Sequence, residues 1–404
     1  MMKGLFDPNS PEFIRDPYRF YAELRRNDPF WRNPIGLRFL TRDRDIRAIL
    51  NDRRFGRDFQ GVTTGGPEVE ATNPVFREAS IRSMRRWMLV MDPPDHARIR
   101  ALVVKAFSAR RVQDMRALVE RVIDGALASL EGRKNVDLMG EFAYRVPQQV
   151  ISDLLGVEES ERPPFVSNID GLVRLLDPVP MSRAQLDYTN RQEKILATIL
   201  QRLFDRRRRE PRDDLITHLV QAEEAGDKLT AEELTANVML LFVAGFETTA
   251  NTIGNALLAL YRQPEELARL KADFSLMPNA VEEFLRFDSA VQFTTRTALE
   301  DANLGNIAFR KGEPAVVVLA AANRDPEIYD QPDRLDITRK NIKPMNFGGG
   351  IHHCLGNQLA RMEIGMALTG LLQRFPNLKL TDVENPRFRK TIALRGMVNL
   401  PATL

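Results

Sequence analysis

Apolar residues recur at intervals of three and four through most of the chain, a spacing that predicts a protein built mainly of helices. Amphipathic helices over 17–26 and 42–50 flank a short apolar strand at 37–41. Periodicity lapses between Phe55 and Met88, where Gly61, Gly65, Gly66, Asn73 and Pro74 are interleaved with Phe59, Phe76, Met84 and Trp87. That composition predicts a long functional loop. From Asp95 to about Ala225 the helical spacing returns, with breaks expected at Pro147, Pro163, Pro164, Pro178, Pro180 and Pro211.

A clear start signal follows. Thr230 and Glu233 form a capping box, and the apolar face behind them continues to Tyr261 before Pro264 stops it. At about 1.5 Å per residue this helix would be roughly 45 Å long. A further helix is expected over 278–287, then strand-like runs at 291–298, 306–309 and 315–320, and a final helix over about 355–375 that ends at Pro376. There is no internal repeat, and the pattern is mainly α with smaller β regions, while length alone permits one large enzyme fold or two or three domains.

Composition narrows the class. With 43% apolar and 28% charged residues the chain is globular rather than disordered. Its single cysteine, Cys354, excludes an internal disulfide and any multi-cysteine zinc or iron–sulfur site, and suits a reducing cytoplasm. The start of the chain carries Lys3, Asp7, Pro8, Pro11, Glu12 and Arg15, unlike a signal peptide, and the longest apolar run, 238–246, is far short of the roughly 20 residues of a bilayer span. No membrane association is expected. Nor is a nucleic-acid partner, because net charge is only +3 and the basic run 206–209, closed by Glu210 and Pro211, reads as a solvated helix end.

Two short segments carry candidate chemistry. In Phe347-Gly348-Gly349-Gly350-Ile351-His352-His353-Cys354-Leu355-Gly356 the only thiol sits where a glycine-rich loop turns into a helix. Glycines let a flat ligand approach the backbone, and helix-start amides stabilise a thiolate, the form that binds iron. A lone cysteine is otherwise a small buried apolar residue, and His352 or His353 could be read as axial ligands. In Ala244-Gly245-Phe246-Glu247-Thr248-Thr249 a glycine, an acid and hydroxyls interrupt the apolar core of the long helix. By residue type alone the threonines read as packing residues and Glu247 as a surface charge.

Together these segments resemble the cytochrome P-450 family. The cysteine loop matches the haem-binding signature F-G-x-G-x-H-x-C-x-G at every fixed position, and the helix segment resembles A-G-x-[D/E]-T. The resemblance implies a single domain of P-450 fold over residues 1–404, mainly α with smaller β regions, with haem b between the long central helix and the cysteine-loop helix, and a soluble, cytoplasmic haem-thiolate monooxygenase acting with O2. Cys354 is implied as the iron ligand, with Phe347, Gly348, Gly350 and Gly356 shaping its loop and Ala244 and Gly245 against the haem. His352, His96, Arg100 and Arg296 are implied as propionate partners. Glu247 and Thr248 take the catalytic proton-delivery roles. Glu283 and Arg286 resemble the family's E-x-x-R pair, completed by Arg339 in preference to Arg334, although Leu335 replaces the phenylalanine of the neighbouring P-x-R-F element.

By the same analogy substrate meets the long loop, Phe246, Val291, Phe293, Thr294 and Ile392, which are mostly apolar. A nonpolar, small-to-medium organic substrate follows. Arg98, Lys105, Arg110, Arg111 and Arg361 are expected near the cysteine side to dock an acidic ferredoxin, which with its reductase and NAD(P)H would supply electrons. A peroxide-using peroxygenase and a non-catalytic haem-binding sensor or carrier are the rival functions.

Overall fold

The computed structural model describes residues 10–33, 36–57, 74–177, 181–224 and 229–404. The expected loop is therefore only partly in view: Phe59, Gly61, Gly65, Gly66 and Asn73 lie outside the described residues, as do Pro178 and Pro180. Its described part is not irregular throughout. A 3-10 turn at Pro74–Arg77 leads into a helix at Ala79–Met84, where Ser80 and Ile81 are buried. One short turn of helix leaves too few apolar repeats for its period to show.

Of the described residues 58% are helical, so the fold is mainly α. It divides into two compact units, the first made of Met1–Phe55, Asp114–Pro147 and Glu247–Leu404, the second of Gly56–Gln113 and Gln148–Phe246. In the first, Arg38–Leu40 pairs parallel with Pro314–Val317, which pairs antiparallel with Thr294–Ala298. Alternation along these short strands buries Leu40 and Val317 with Ile46, Ile49 and Phe309, while Phe39, Val316 and Val318 pack on Phe13, Tyr18 and Tyr21. Three helices, Arg116–Ala128, Met277–Phe287 and Asn357–Arg374, pack where side chains are missing. A Cβ on Gly370 would lie 3.1 Å from Leu127, and one on Gly365 3.5 Å from Val281.

The second unit is helical. Its longest element, Arg183–Arg209, starts at a capping box between Ser182 and Gln185 and buries Leu196, Leu200, Leu203 and Phe204. The basic run at its end is not wholly solvated as expected. Arg207 is 2% exposed, donating to Asp214 at 2.5 Å and to the Gly156 carbonyl at 2.7 Å. A helical face turns one residue in three or four inward whatever its charge, and here that residue found a carboxylate.

Proline readings need a similar correction. Pro147 lies inside Arg145–Leu155, and Pro163 and Pro164 inside Arg162–Val166, each in the first turn, where a missing N–H costs no helical hydrogen bond. The capping box at Thr230 forms as the sequence predicts, with Thr230 N donating to Glu233 at 2.9 Å and Glu233 N to the threonine hydroxyl at 3.1 Å. The helix it opens, Ala231–Arg262, has 32 residues. No helix among the described residues is long and apolar enough to cross a membrane. The helix at Pro264–Ala272 and the hairpin of Ala302–Leu304 with Ile307–Phe309 went unread in the first case and half-read in the second.

Candidate active site

The cysteine loop is a sequence of tight turns. Met345–Phe347 forms a 3-10 turn, Gly348 turns the chain with φ of 66°, and Gly350–His352 forms a second 3-10 turn. Gly350, with φ of 64°, has no room for a side chain, since a Cβ there would lie 2.1 Å from the Leu50 carbonyl. Cys354 N donates to the Phe347 carbonyl at 2.9 Å, which closes the loop and holds the partly exposed thiol two residues before the Gly356 cap of Asn357–Arg374. Asn357 returns a bond to the Cys354 carbonyl at 2.8 Å. The thiol thus stands at the positive end of an 18-residue helix, which favours the thiolate.

Behind the loop lies a buried polar network. Arg286 donates to both carboxylate oxygens of Glu283 at 2.7 Å, and Arg339 reaches the same carboxylate at 3.3 Å, while Arg334 contributes its carbonyl instead. Arg286 also donates to the Asn323 carbonyl at 2.9 Å. The Asn323 side chain accepts from Met345 N at 2.6 Å and donates to Asn346 at 2.7 Å. Asn323 therefore ties the ion pair to the first turn of the cysteine loop. Sequence reasoning missed it, although an asparagine directly after the apolar run 315–322 was a visible signal. Arg361 stacks over Phe347 at 4.4 Å and bonds Glu282 at 2.5 Å.

On the long helix, nearly every residue from 238 to 260 is buried, but Ala244 is exposed and Gly245 and Thr248 are partly open. Ala244 and Thr248 are four apart and share a face, so the helix presents an open stripe within a buried surround. The room left by Gly245's missing side chain is taken by Ile151, whose carbons would lie 2.9 Å from a Cβ, so on that face the glycine serves helix packing. Phe246 is 2% exposed and packs on Phe242 with ring centroids 5.6 Å apart.

Glu247 is not the surface charge its residue type suggested. It is 3% exposed, accepts from Tyr144 at 3.1 Å and Asn251 at 3.3 Å, and lies 3.5 Å from Arg389. Asn251 stands four residues on along the same helix, a spacing visible in the sequence, whereas Tyr144 and Arg389 carry no sequence signal because they come from distant stretches of chain.

Other expected site residues fall as follows. His96 is buried and Arg100 partly buried on the helix Asp95–Val103; burial, then the Arg100 charge, lowers the His96 pKa, which favours the neutral imidazole. Arg296 is buried and donates to the Thr295 carbonyl at 2.8 Å. His352 is partly buried and His353 exposed. Val291 bridges to Leu394, and Gln292 N donates to Ala393 at 2.9 Å, which sets Val291, Phe293 and Thr294 beside the turn that carries Ile392. Among the expected docking cations, Arg98 pairs with Asp95 and Glu233, Arg111 with Asp213, and Arg361 with Glu282, so their charge is already partly met. Arg110 is exposed, and the Lys105 side chain lies outside the described residues.

These residues fit a haem. The loop offers one partly exposed sulfur at a helix start, glycines in conformations only they accept readily, and buried nitrogen donors of the kind that carboxylates need.

Comparison with known proteins agrees. A family model described as Cytochrome P450 matches residues 62–401. The putative cytochrome P450 133B2 of Xylella fastidiosa strain 9a5c is 37% identical over 401 residues, 99% of each chain. Cytochrome P450 107B1 of Saccharopolyspora erythraea is 41% identical over 395 residues, 96% of this chain and 95% of that one. The crystal structure of P450BioI in complex with a hexadec-9Z-enoic acid-ligated acyl carrier protein matches with a TM-score of 0.89 at 33% identity, over 98% of this chain and 100% of that chain. By fold, by sequence over its whole length and by its cysteine loop, this chain belongs to the cytochrome P450 family, monooxygenases that bind haem b through a cysteine thiolate.

Proposed function

We propose that this chain acts as a single catalytic domain, in the cytoplasm, and inserts one oxygen atom of O2 into a nonpolar, small-to-medium organic substrate, with electrons from a ferredoxin, its reductase and NAD(P)H. The observation that carries the reading is a buried carboxylate, Glu247, followed on the same helix by the accessible Thr248. When bound, the haem supplies the iron at which dioxygen is reduced.

Every other task falls to the chain. The Cys354 thiolate binds the iron and donates electron density. Glu247 holds a proton out of bulk solvent and Thr248 hands it on, since splitting dioxygen so that one atom leaves as water consumes two protons. Arg296, Arg100, His352 and the neutral His96 serve as donors to the propionates. Phe347, Gly348, Gly350 and Gly356 set the loop, and Ala244, with only a methyl group on the open stripe, lies with the partly open Gly245 on the cofactor side. The partly open Val291, Phe293 and Thr294 supply the mostly apolar surface for substrate, and the buried Phe246 and Ile392 add apolar side chains to its walls. P450BioI, solved with a fatty-acyl carrier protein, is a relative whose named ligand is an apolar chain.

Two measurements test this reading. Thr248→Ala should keep consuming NAD(P)H while product per NAD(P)H drops about tenfold or more and peroxide appears in its place. Unchanged product yield would instead support a peroxygenase, which needs no such proton donor. A compound panel scored by binding-induced haem absorption shifts should yield nonpolar binders. A panel returning only highly charged ones overturns the substrate class.

A further inference from the structure

Glu247 is too deeply buried to exchange protons with solvent itself, being 3% exposed. A cationic side chain beside it is not. The Arg389 side chain is 35% exposed and reaches the carboxylate at 3.5 Å. Its guanidinium lies over the Tyr144 ring, 4.9 Å from the centroid, and the hydroxyl of that same ring bonds Glu247. Arg389 Nε is buried with no hydrogen-bond partner among the described residues. Beside it is a cleft of about 10 Å³, lined by Phe13, Ile14, Phe388, Ile392 and Arg395 as well as Arg389. That space is about what one water needs.

Tyr144 adds a second feature. Its hydroxyl has one proton and two acceptors in reach, Glu247 at 3.1 Å and the Asn251 carbonyl oxygen at 2.9 Å. Facing an ionised Glu247 it donates to the carboxylate; once Glu247 is protonated it can turn to Asn251. The turn that carries Arg389 is fixed against this helix: Arg389 N donates to the Gly396 carbonyl at 2.9 Å, Asn255 donates to the Arg395 carbonyl at 3.1 Å, and a Cβ on Gly396 would lie 1.9 Å from Asn251.

We propose that Arg389 and Tyr144 are positioning residues that form the solvent-side inlet for protons to Glu247, with the cleft beside Arg389 as the place where water enters. The proposal rests on the proton-delivery reading of Glu247. Arg389 sets its cation beside the carboxylate, which takes up a proton from cleft water and holds it for Thr248. Tyr144 follows its charge state by turning between two acceptors, and the proton then passes along Thr248. No electrons are moved by this step: one proton leaves water or hydronium in the cleft and one is delivered at the far end.

The test uses the holoenzyme and its Arg389→Gln, Arg389→Lys, Tyr144→Phe and Glu247→Gln variants, with haem content confirming intact folding. Infrared titration follows the Glu247 carboxyl band, assigned by its loss in Glu247→Gln. Arg389→Gln should move that titration up by about one pH unit or more, because a nearby cation is lost, and Arg389→Lys should restore most of it. Arg389→Gln and Tyr144→Phe should each enlarge the solvent deuterium isotope effect on turnover about twofold and lower product per NAD(P)H. If Glu247→Gln uncouples turnover while Arg389→Gln leaves both the carboxyl titration and the isotope effect unchanged, the inlet is overturned and the role of Glu247 stands. If Glu247→Gln leaves turnover and isotope effect as in the wild type, the proton-delivery reading fails and the inlet with it.

Discussion

Replacing Cys354 with serine is expected to leave the fold intact and abolish oxygenation. The backbone of Cys354 and the side chain of Asn357 make bonds that shape the loop, and the cysteine is already partly exposed. Serine therefore keeps the turn but changes its chemistry. An alcohol ionises far less readily than a thiol, even at a helix start, so it offers iron a poor anionic ligand and little electron density. Product formation should fall at least about a thousandfold, equivalent to ~4 kcal/mol at the barrier. The spectral check is independent of turnover: the reduced, carbon monoxide-treated wild type should show the red-shifted Soret absorption of thiolate-ligated haem, and the variant should not. A fully loaded wild type without that shift would remove the basis of the entire functional reading.

The cysteine loop was legible because each of its parts is local. Glycines at required backbone angles, one thiol and a helix start all fall within ten residues, although the Leu50 carbonyl that crowds Gly350 comes from far away in the chain. The long helix was legible for the same reason, through its capping box and apolar face. What stayed hidden depends on distant partners. Nothing near Arg207 announces Asp214 and Gly156, and nothing near Glu247 announces Tyr144 or Arg389, so charge alone placed both residues at the surface. Glu363 is a further case: it sits in the final helix at 2% exposure, and burial pushes its carboxyl up to about 8. The short elements failed for another reason. Strands of two to four residues, such as Ala302–Leu304, are too brief for a two-residue period to stand out.

The E-x-x-R pair marks where a sequence reading and a stability argument meet, and Glu283→Gln should be among the most damaging single changes in the chain. Glu283 and Arg286 are both 0% exposed. The carboxylate accepts two bonds from Arg286 at 2.7 Å, one from Asp336 N at 2.9 Å and one from Arg339 at 3.3 Å. Arg286 spends its remaining donors on carbonyls of Asn323, Pro332 and Arg334. Glutamine keeps the shape but removes the charge and turns an amide N–H₂ toward a guanidinium, leaving a cation buried without its counter-ion. The expected cost is about 3–5 kcal/mol, read as a lowered urea midpoint. An exposed pair of the same type supplies the contrast: Arg116 and Glu120 are each about half exposed, and Arg116→Ala should shift the midpoint little. Because Asn323 links Arg286 to Met345 N and Asn346, the damage should also reach the thiol, so Glu283→Gln should release haem at a denaturant concentration below its own unfolding midpoint. A variant that unfolds at the wild-type midpoint and keeps its haem would mean that this buried charge network is neither stabilising the fold nor bracing the cysteine loop.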